Sequence, residues 1–129
     1  MKNTSHKILI IEDEKPMAKA LALKFKHSNF SVINAYNGSE ALTILERETF
    51  DVIVLDIIMP EMDGFKVMEA LKEQNIKTPV FILSNLGQDE DKKRLAQLGA
   101  QDFFIKSNIP IADIVEKVKA FFYLEKDEY

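Results

Sequence analysis

The sequence predicts an α/β domain, a parallel sheet covered by helices on both faces. Three observations predict it. Short apolar strands alternate with helical stripes five times, at a period of about 25 residues. The run Val52-Ile53-Val54-Leu55 is apolar on both faces and rich in β-branched residues, the signature of a strand buried on both sides. Polar residues end four of the five strands: Glu12-Asp13, Asp56, Ser84 and Lys106. The crossovers are right-handed, and because the strands are parallel all their C-termini lie along one edge. The repetition is of βα units within one domain, not of a solenoid.

Taken in order, the first strand is Lys7 to Ile11, stopped by Glu12-Asp13-Glu14. Met17, Leu21 and Phe25 form one face of a helix over Lys15 to His27, with Pro16 in its first turn. Ser31 to Tyr36 is a second, more polar strand, nearer a sheet edge. Asn37-Gly38-Ser39 is a turn in which Ser39 can cap the next helix, whose stripe is Ala41, Leu42, Ile44 and Leu45. The third strand ends at Asp56, and Pro60 and Asp63-Gly64 mark a loop after it. Phe65, Met68 and Leu71 then recur at helical spacing up to Gln74. Val80 to Leu83 is a fourth strand, followed by a polar helix over Gln88 to Gln97 that Gly99 stops. Phe103 to Ile105 is the fifth strand. The last helix carries an amphipathic stripe of Ile111, Ile114, Val115, Val118, Phe121 and Phe122. Residues 1–124 are expected to form the domain and 125–129 a charged tail that frays.

Composition narrows the function. The chain has 129 residues, 47% hydrophobic and 29% charged, enough for one real core. A net charge of −4 does not favour nucleic acid or an anionic membrane surface. The absence of cysteine removes thiol catalysis, disulfides and zinc-thiolate sites, and suits a reducing cytoplasm. The apolar run before Glu12 is too short for a signal peptide or a membrane span.

The strand ends carry the chemistry. Three carboxylates, a hydroxyl and an ammonium from distant parts of the chain can converge in one pocket. Two or three carboxylates hold a hard cation such as Mg²⁺. A carboxylate can also be the nucleophile toward phosphorus, giving an aspartyl phosphate, while the metal, the lysine and the hydroxyl neutralise the phosphoryl oxygens.

Glu12-Asp13 after ILII, D-I-I-M-P-E-M-D-G from Asp56 to Gly64, Ser84 after VFIL and Lys106 after DFFI together resemble the receiver domain of bacterial two-component response regulators. The resemblance runs from about Lys7 to Leu124. It implies a flavodoxin-like (βα)5 fold with strand order 2-1-3-4-5. It implies that Asp56 accepts a phosphoryl group from a sensor histidine kinase or a phosphotransfer protein. Asp13 would bind Mg²⁺ directly and Glu12 through water, with Asp56 and the backbone carbonyl of Ile58 completing the shell. Ser84 would bond a phosphoryl oxygen and Lys106 would pair with the phosphate. Phe103 falls at the position of a switch aromatic. Output would pass to a protein target through the face of the fourth helix, fifth strand and fifth helix, as a monomer or a phosphorylation-dependent dimer. Phosphorylation adds roughly −1.5 to −2 charge and three acceptors, enough to pull Ser84 inward and let Phe103 turn.

Five positions depart from the family pattern. Lys106-Ser107 replaces a Lys-Pro pair whose cis peptide costs about 2.5–4 kcal/mol without proline, so the bond is either trans or held under strain. Asn85 follows Ser84 where a very small residue is common, and narrows access to the phosphate. Ile58 and Leu86 cannot orient an attacking water, which implies slow autodephosphorylation and no enzymatic turnover beyond self-catalysed transfer. Phe103 has no hydroxyl, so any switching works by packing alone. Two other classes stand beside this reading. One is a receiver-like module that only binds partners. The other is an Asp-nucleophile phosphatase of the haloacid dehalogenase type, disfavoured because Ile58 stands where its second Asp belongs. Singly, the residues have plainer readings: an acidic first turn for Glu12-Asp13-Glu14, a cap for Ser84, a solvated lysine for Lys106. His6 and His27 read as ordinary surface residues.

Overall fold

The computed structural model describes residues 5–85 and 88–126. The elements alternate as β1 (His6–Ile11), α1 (Lys15–His27), β2 (Phe30–Ala35), α2 (Gly38–Arg47), β3 (Val52–Leu55) and α3 (Gly64–Glu73). They continue as β4 (Val80–Ser84), α4 (Asp89–Gln97), β5 (Asp102–Ile105), a 3₁₀ turn over Lys106–Asn108 and α5 (Ile111–Lys126). The five strands form one sheet in the order β2-β1-β3-β4-β5, every pairing parallel. The flavodoxin-like order is therefore observed, and β2 is an edge strand, as its polarity predicts. No helix among the described residues is long and apolar enough to cross a membrane.

Period-2 alternation sorts the strand side chains into two cores. Leu9, Ile11, Ile53, Leu55 and Ile82 point to one face and meet Ala41, Phe65, Met68, Leu71 and Leu95 from α2, α3 and α4. Ile8, Ile10, Val52, Val54, Phe81 and Leu83 point to the other and meet Leu21, Phe25, Ile114, Val115 and Val118 from α1 and α5. All four residues of β3 are buried. That is why the strand has no polar alternation: neither face meets water.

Local chemistry sets the boundaries and corrects several expectations. The cap of α2 is Asn37, whose side chain accepts from the Glu40 N–H at 2.7 Å; Ser39 lies inside the helix. The Glu40 carboxylate returns a bond to the Tyr36 N–H at 2.7 Å, a reciprocal capping arrangement that leaves Ser39 no role. Asp63 caps α3 in the same way, accepting from the Lys66 N–H. Gly99 (φ 104°) ends α4 as predicted, and Asn29 (φ 72°) and Asn75 (φ 60°) do the same after α1 and α3. Asparagine tolerates this left-handed conformation better than other side chains do. His6 is not an ordinary surface residue: it is half-buried, its ring 4.1 Å from that of Phe122. The helix α5 runs to Lys126, past the expected start of the tail; residues 127–129 lie outside the described ones.

Candidate functional site

The register of the sheet aligns the strand ends. Ile11 pairs with Leu55, and Ser84 with Ile105, so the residues that follow emerge together at one edge. The Asp56 N–H donates to the Ile11 carbonyl at 2.9 Å, and the Glu12 N–H to the Ala35 carbonyl at 3.0 Å. These bonds carry the ladder one residue past β3 and β1 and fix the backbone of both acids. Both are nearly inaccessible, Glu12 at 1% and Asp56 at 4% exposure.

Lys106 crosses from the end of β5 to meet them. Its Nζ donates to Asp56 Oδ2 at 3.0 Å, to Glu12 Oε2 at 3.1 Å and to Glu14 Oε1 at 2.8 Å. Glu12 Oε1 also lies 2.9 Å from the ammonium but off the hydrogen-bonding direction, so it has charge contact and no hydrogen bond. The other Asp56 oxygen, Oδ1, accepts from the Ile58 N–H at 3.1 Å. Burial pushes the Glu12 carboxyl up to about 7, against the pull of Lys106 and with the help of the Asp56 charge. Burial alone would lower the Lys106 ammonium; bonds to Glu14, Glu12 and Asp56 outweigh it and hold the group above its ordinary value. Lys106 is therefore firmly protonated.

The loop after Asp56 is pinned by alternation. Ile57 and Met59 are buried, while Ile58 between them is 54% exposed. The Gly64 N–H donates to the Ile57 carbonyl at 2.9 Å. A Cβ on Gly64 would stand 2.7 Å from the Ile57 Cα and 2.8 Å from the Asp56 carbonyl oxygen. The glycine lets helix α3 start directly against the strand end that carries the acid.

A cleft of about 240 Å³ opens over this cluster, lined by Asp13, Glu14, Asp56, Ile58, Asn85 and Lys106. Carboxylate oxygens of Glu12, Asp13 and Asp56 lie within 4.8 Å of one another. This set fits a hard divalent cation: three carboxylates each offer one oxygen donor, and the buried Glu12 keeps one oxygen, Oε1, without a hydrogen bond. Ser84 is fully buried at the end of β4, between the strands that bear Asp56 and Lys106. Phe103 lies outside the cleft. It pairs with Ile82 in the sheet, is half-buried, and has the Lys92 Nζ 5.5 Å from its ring centre. Leu86 lies outside the described residues.

Residues 8–119 match the family model described as the response regulator receiver domain. The chain belongs to this family. It is 34% identical over 115 residues to the regulatory protein VanRc of Enterococcus gallinarum, covering 89% of this chain and 49% of that protein. It is 35% identical over 114 residues to the alkaline phosphatase synthesis transcriptional regulatory protein PhoP of Bacillus subtilis, covering 88% of this chain and 47% of that one. The chain thus spans about half the length of these curated relatives. Among solved structures, a Francisella response regulator receiver domain superposes with a TM-score of 0.86 at 32% identity, covering 94% of this chain and 99% of that one. A CheY-like receiver domain from Methanospirillum hungatei superposes at 0.87 over 98% of this chain and 100% of that one; at 21% identity it speaks for the fold alone.

Within this receiver domain, every predicted strand-end residue stands at the expected edge. Three features were not legible. The peptide after Lys106 is trans, since the described residues hold no cis bond, and a 3₁₀ turn takes up the chain direction. Glu14 reaches Lys106, though the sequence marked it only as part of an acidic run. Asn85 and Ser107, two separate departures, are bonded to each other: Asn85 Oδ1 accepts from the Ser107 N–H at 2.9 Å. A proline at 107 would have no N–H to give, and that is the one signal that could have linked them.

Proposed function

We propose that the chain is a phosphorylation-dependent signalling domain in which Asp56 takes a phosphoryl group from a phosphohistidine of a sensor kinase or phosphotransfer protein. The observation that carries this reading is the bond from Lys106 Nζ to Asp56 Oδ2 beside the Glu12, Asp13 and Asp56 oxygens. An Asp56 oxygen attacks phosphorus as the P–N bond breaks and the imidazole nitrogen leaves with its electron pair. Ile58 N–H holds Oδ1, which orients the carboxylate plane. Lys106 arrives protonated and shifts from the carboxylate to a phosphoryl oxygen. Mg²⁺ held by Glu12, Asp13, Asp56 and the Ile58 carbonyl would supply the remaining charge neutralisation. Ser84 donates its hydroxyl to the phosphoryl group and draws its loop inward. Phe103, half-buried and packing by shape alone, then repositions, and the face of α4, β5 and α5 changes for a downstream protein.

The chain acts as a switch rather than an enzyme with turnover. Exposed Ile58 at the cleft mouth offers no polar atom of its side chain to position a water, so the aspartyl phosphate decays slowly. Decay of the phosphorylated protein measures this; a half-life of seconds contradicts it. The phosphoacceptor reading itself is tested by incubation with acetyl phosphate, or with beryllofluoride, in the presence of Mg²⁺, followed by mass spectrometry or NMR. Wild type should form an adduct and Asp56→Asn should not. No adduct on wild type, or an unchanged one in Asp56→Asn, overturns it.

A further inference from the structure

We propose that the Asn85 side chain is a direct donor to the phosphoryl group, with its orientation set by Ser107. This inference rests on Asp56 being the phosphoacceptor. Asn85 is one of six residues that line the cleft over Asp56 and Lys106. Its Oδ1 accepts from the Ser107 N–H at 2.9 Å. A backbone N–H can be accepted only by the amide oxygen, so this bond decides which way the amide faces. The oxygen is turned to the 3₁₀ turn, which leaves the NH₂ as the polar group this side chain can offer the cleft. An anion there meets a donor instead of a repelling oxygen.

Two of the substitutions that set this chain apart from its family pattern thus act as a pair. Serine in place of proline at 107 supplies the N–H, and asparagine at 85 spends its oxygen on it. Asn85 immediately follows Ser84, and Ser107 immediately follows Lys106. The bond therefore ties the segments that carry the hydroxyl and the ammonium. A phosphoryl group on Asp56 has three terminal oxygens to satisfy, and the amide adds a neutral donor at a position where a very small side chain has none. A neutral amide bond to a charged oxygen should raise the stability of the adduct roughly ten- to a hundredfold.

The experiment is ¹⁹F and ¹H–¹⁵N NMR of the full chain with beryllofluoride and Mg²⁺, on wild type, Asn85→Ala and Asn85→Asp. Asn85→Asp keeps an oxygen for Ser107 and removes the donor, so a purely structural role would leave it like wild type. The wild-type adduct should shift the Asn85 NH₂ signals downfield. One of its fluorine resonances should move in Asn85→Ala. Beryllofluoride affinity should fall about tenfold or more in Asn85→Ala and further in Asn85→Asp. Ser107→Pro should reproduce part of the loss, and little should be added when it is combined with Asn85→Ala. If wild type forms an adduct but its fluorine pattern is unchanged in Asn85→Ala, or Asn85→Asp binds as wild type does, the donor role is wrong while the phosphoacceptor reading stands. If wild type forms no adduct, both fall.

Discussion

The two halves of the sheet edge are anchored very differently. On the β1–β3 side, the strand before Asp56 is wholly buried, Ile57 and Met59 fix the loop after it, and Glu12 and Asp56 are held by backbone ladder bonds. On the other side β4 is buried throughout, but beyond it β5 has no fully buried residue, and α4 buries Leu95 alone. The proposed acceptor carboxylate and the metal-fitting acids thus belong to rigid scaffold, where a geometry of a few tenths of an ångström can be kept. Phe103 and α4, two parts of the face proposed for output, have thin apolar contact, where local rearrangement costs little. Lys106 bridges the two, and so can report a change on one side to the other.

The contrast predicts unequal mutational costs. Leu55→Ala, in the buried strand, should lower stability by about 2–5 kcal/mol in denaturant unfolding. Phe103→Leu, in the half-buried strand, should cost under about 1.5 kcal/mol. Similar losses would erase the distinction between a rigid and a yielding half. Gly64→Ala should come next, about 1–3 kcal/mol, because its Cβ would press on the backbone of Asp56 and Ile57. It should also slow phosphorylation, since the displaced atoms carry the proposed acceptor. Normal kinetics in a destabilised Gly64→Ala protein would show that the strand end tolerates movement.

The sequence made the strand ends readable on both sides of the edge and left the contacts of loops and helix starts obscure, for physical reasons. Val52 to Leu55 advertise burial because a central parallel strand needs apolar side chains on both faces. Asp56, Glu12, Ser84 and Lys106 were legible because parallel strands end at one edge, whatever their distance in sequence. The Lys106–Ser107 geometry was not, since a residue other than proline permits two answers that only tertiary contacts decide. The Glu14–Lys106 bond was hidden because an acid at a helix start already has a sufficient explanation in the dipole. Ser39 was mistaken for a cap because Asn37, two residues earlier, competes for the same role and has Glu40 at the reciprocal spacing.

Titration of Glu12 sharpens the picture on the rigid side. Its carboxyl lies at about 7 when folded and 4.5 as a free side chain, so the folded state holds the proton more tightly. Its contribution to stability is complete below pH 4.5 and is lost as pH rises through about 7. Lys106, also raised, contributes across this whole range and loses its share only at strongly alkaline pH. Without Mg²⁺, Glu12→Gln should therefore melt higher than wild type at pH 8 and alike at pH 5. With Mg²⁺ the ionised acid is needed, so apparent affinity should fall by up to roughly tenfold per pH unit below 7. A melting difference between Glu12→Gln and wild type that does not vary with pH would mean the acid is not the buried, proton-holding group its surroundings imply.

The smallest expected effect probes the yielding half. Arg94 is a polar tie between α4 and α3: it pairs with Glu69 at 3.0 Å, and its guanidinium lies 4.2 Å from the Phe65 ring centre. Both partners of the ion pair are about half exposed, so solvent screens most of the attraction. Arg94→Ala should change global stability by less than about 1 kcal/mol. Its effect should appear instead in hydrogen exchange, as faster opening of α4 amides with β3 amides unchanged, because the helix keeps only Leu95 as a buried anchor. A loss above 2 kcal/mol, or slowed exchange spreading into β3, would mean that α4 is locked to the rigid half, and the division between fixed chemistry and mobile response would have to be drawn elsewhere.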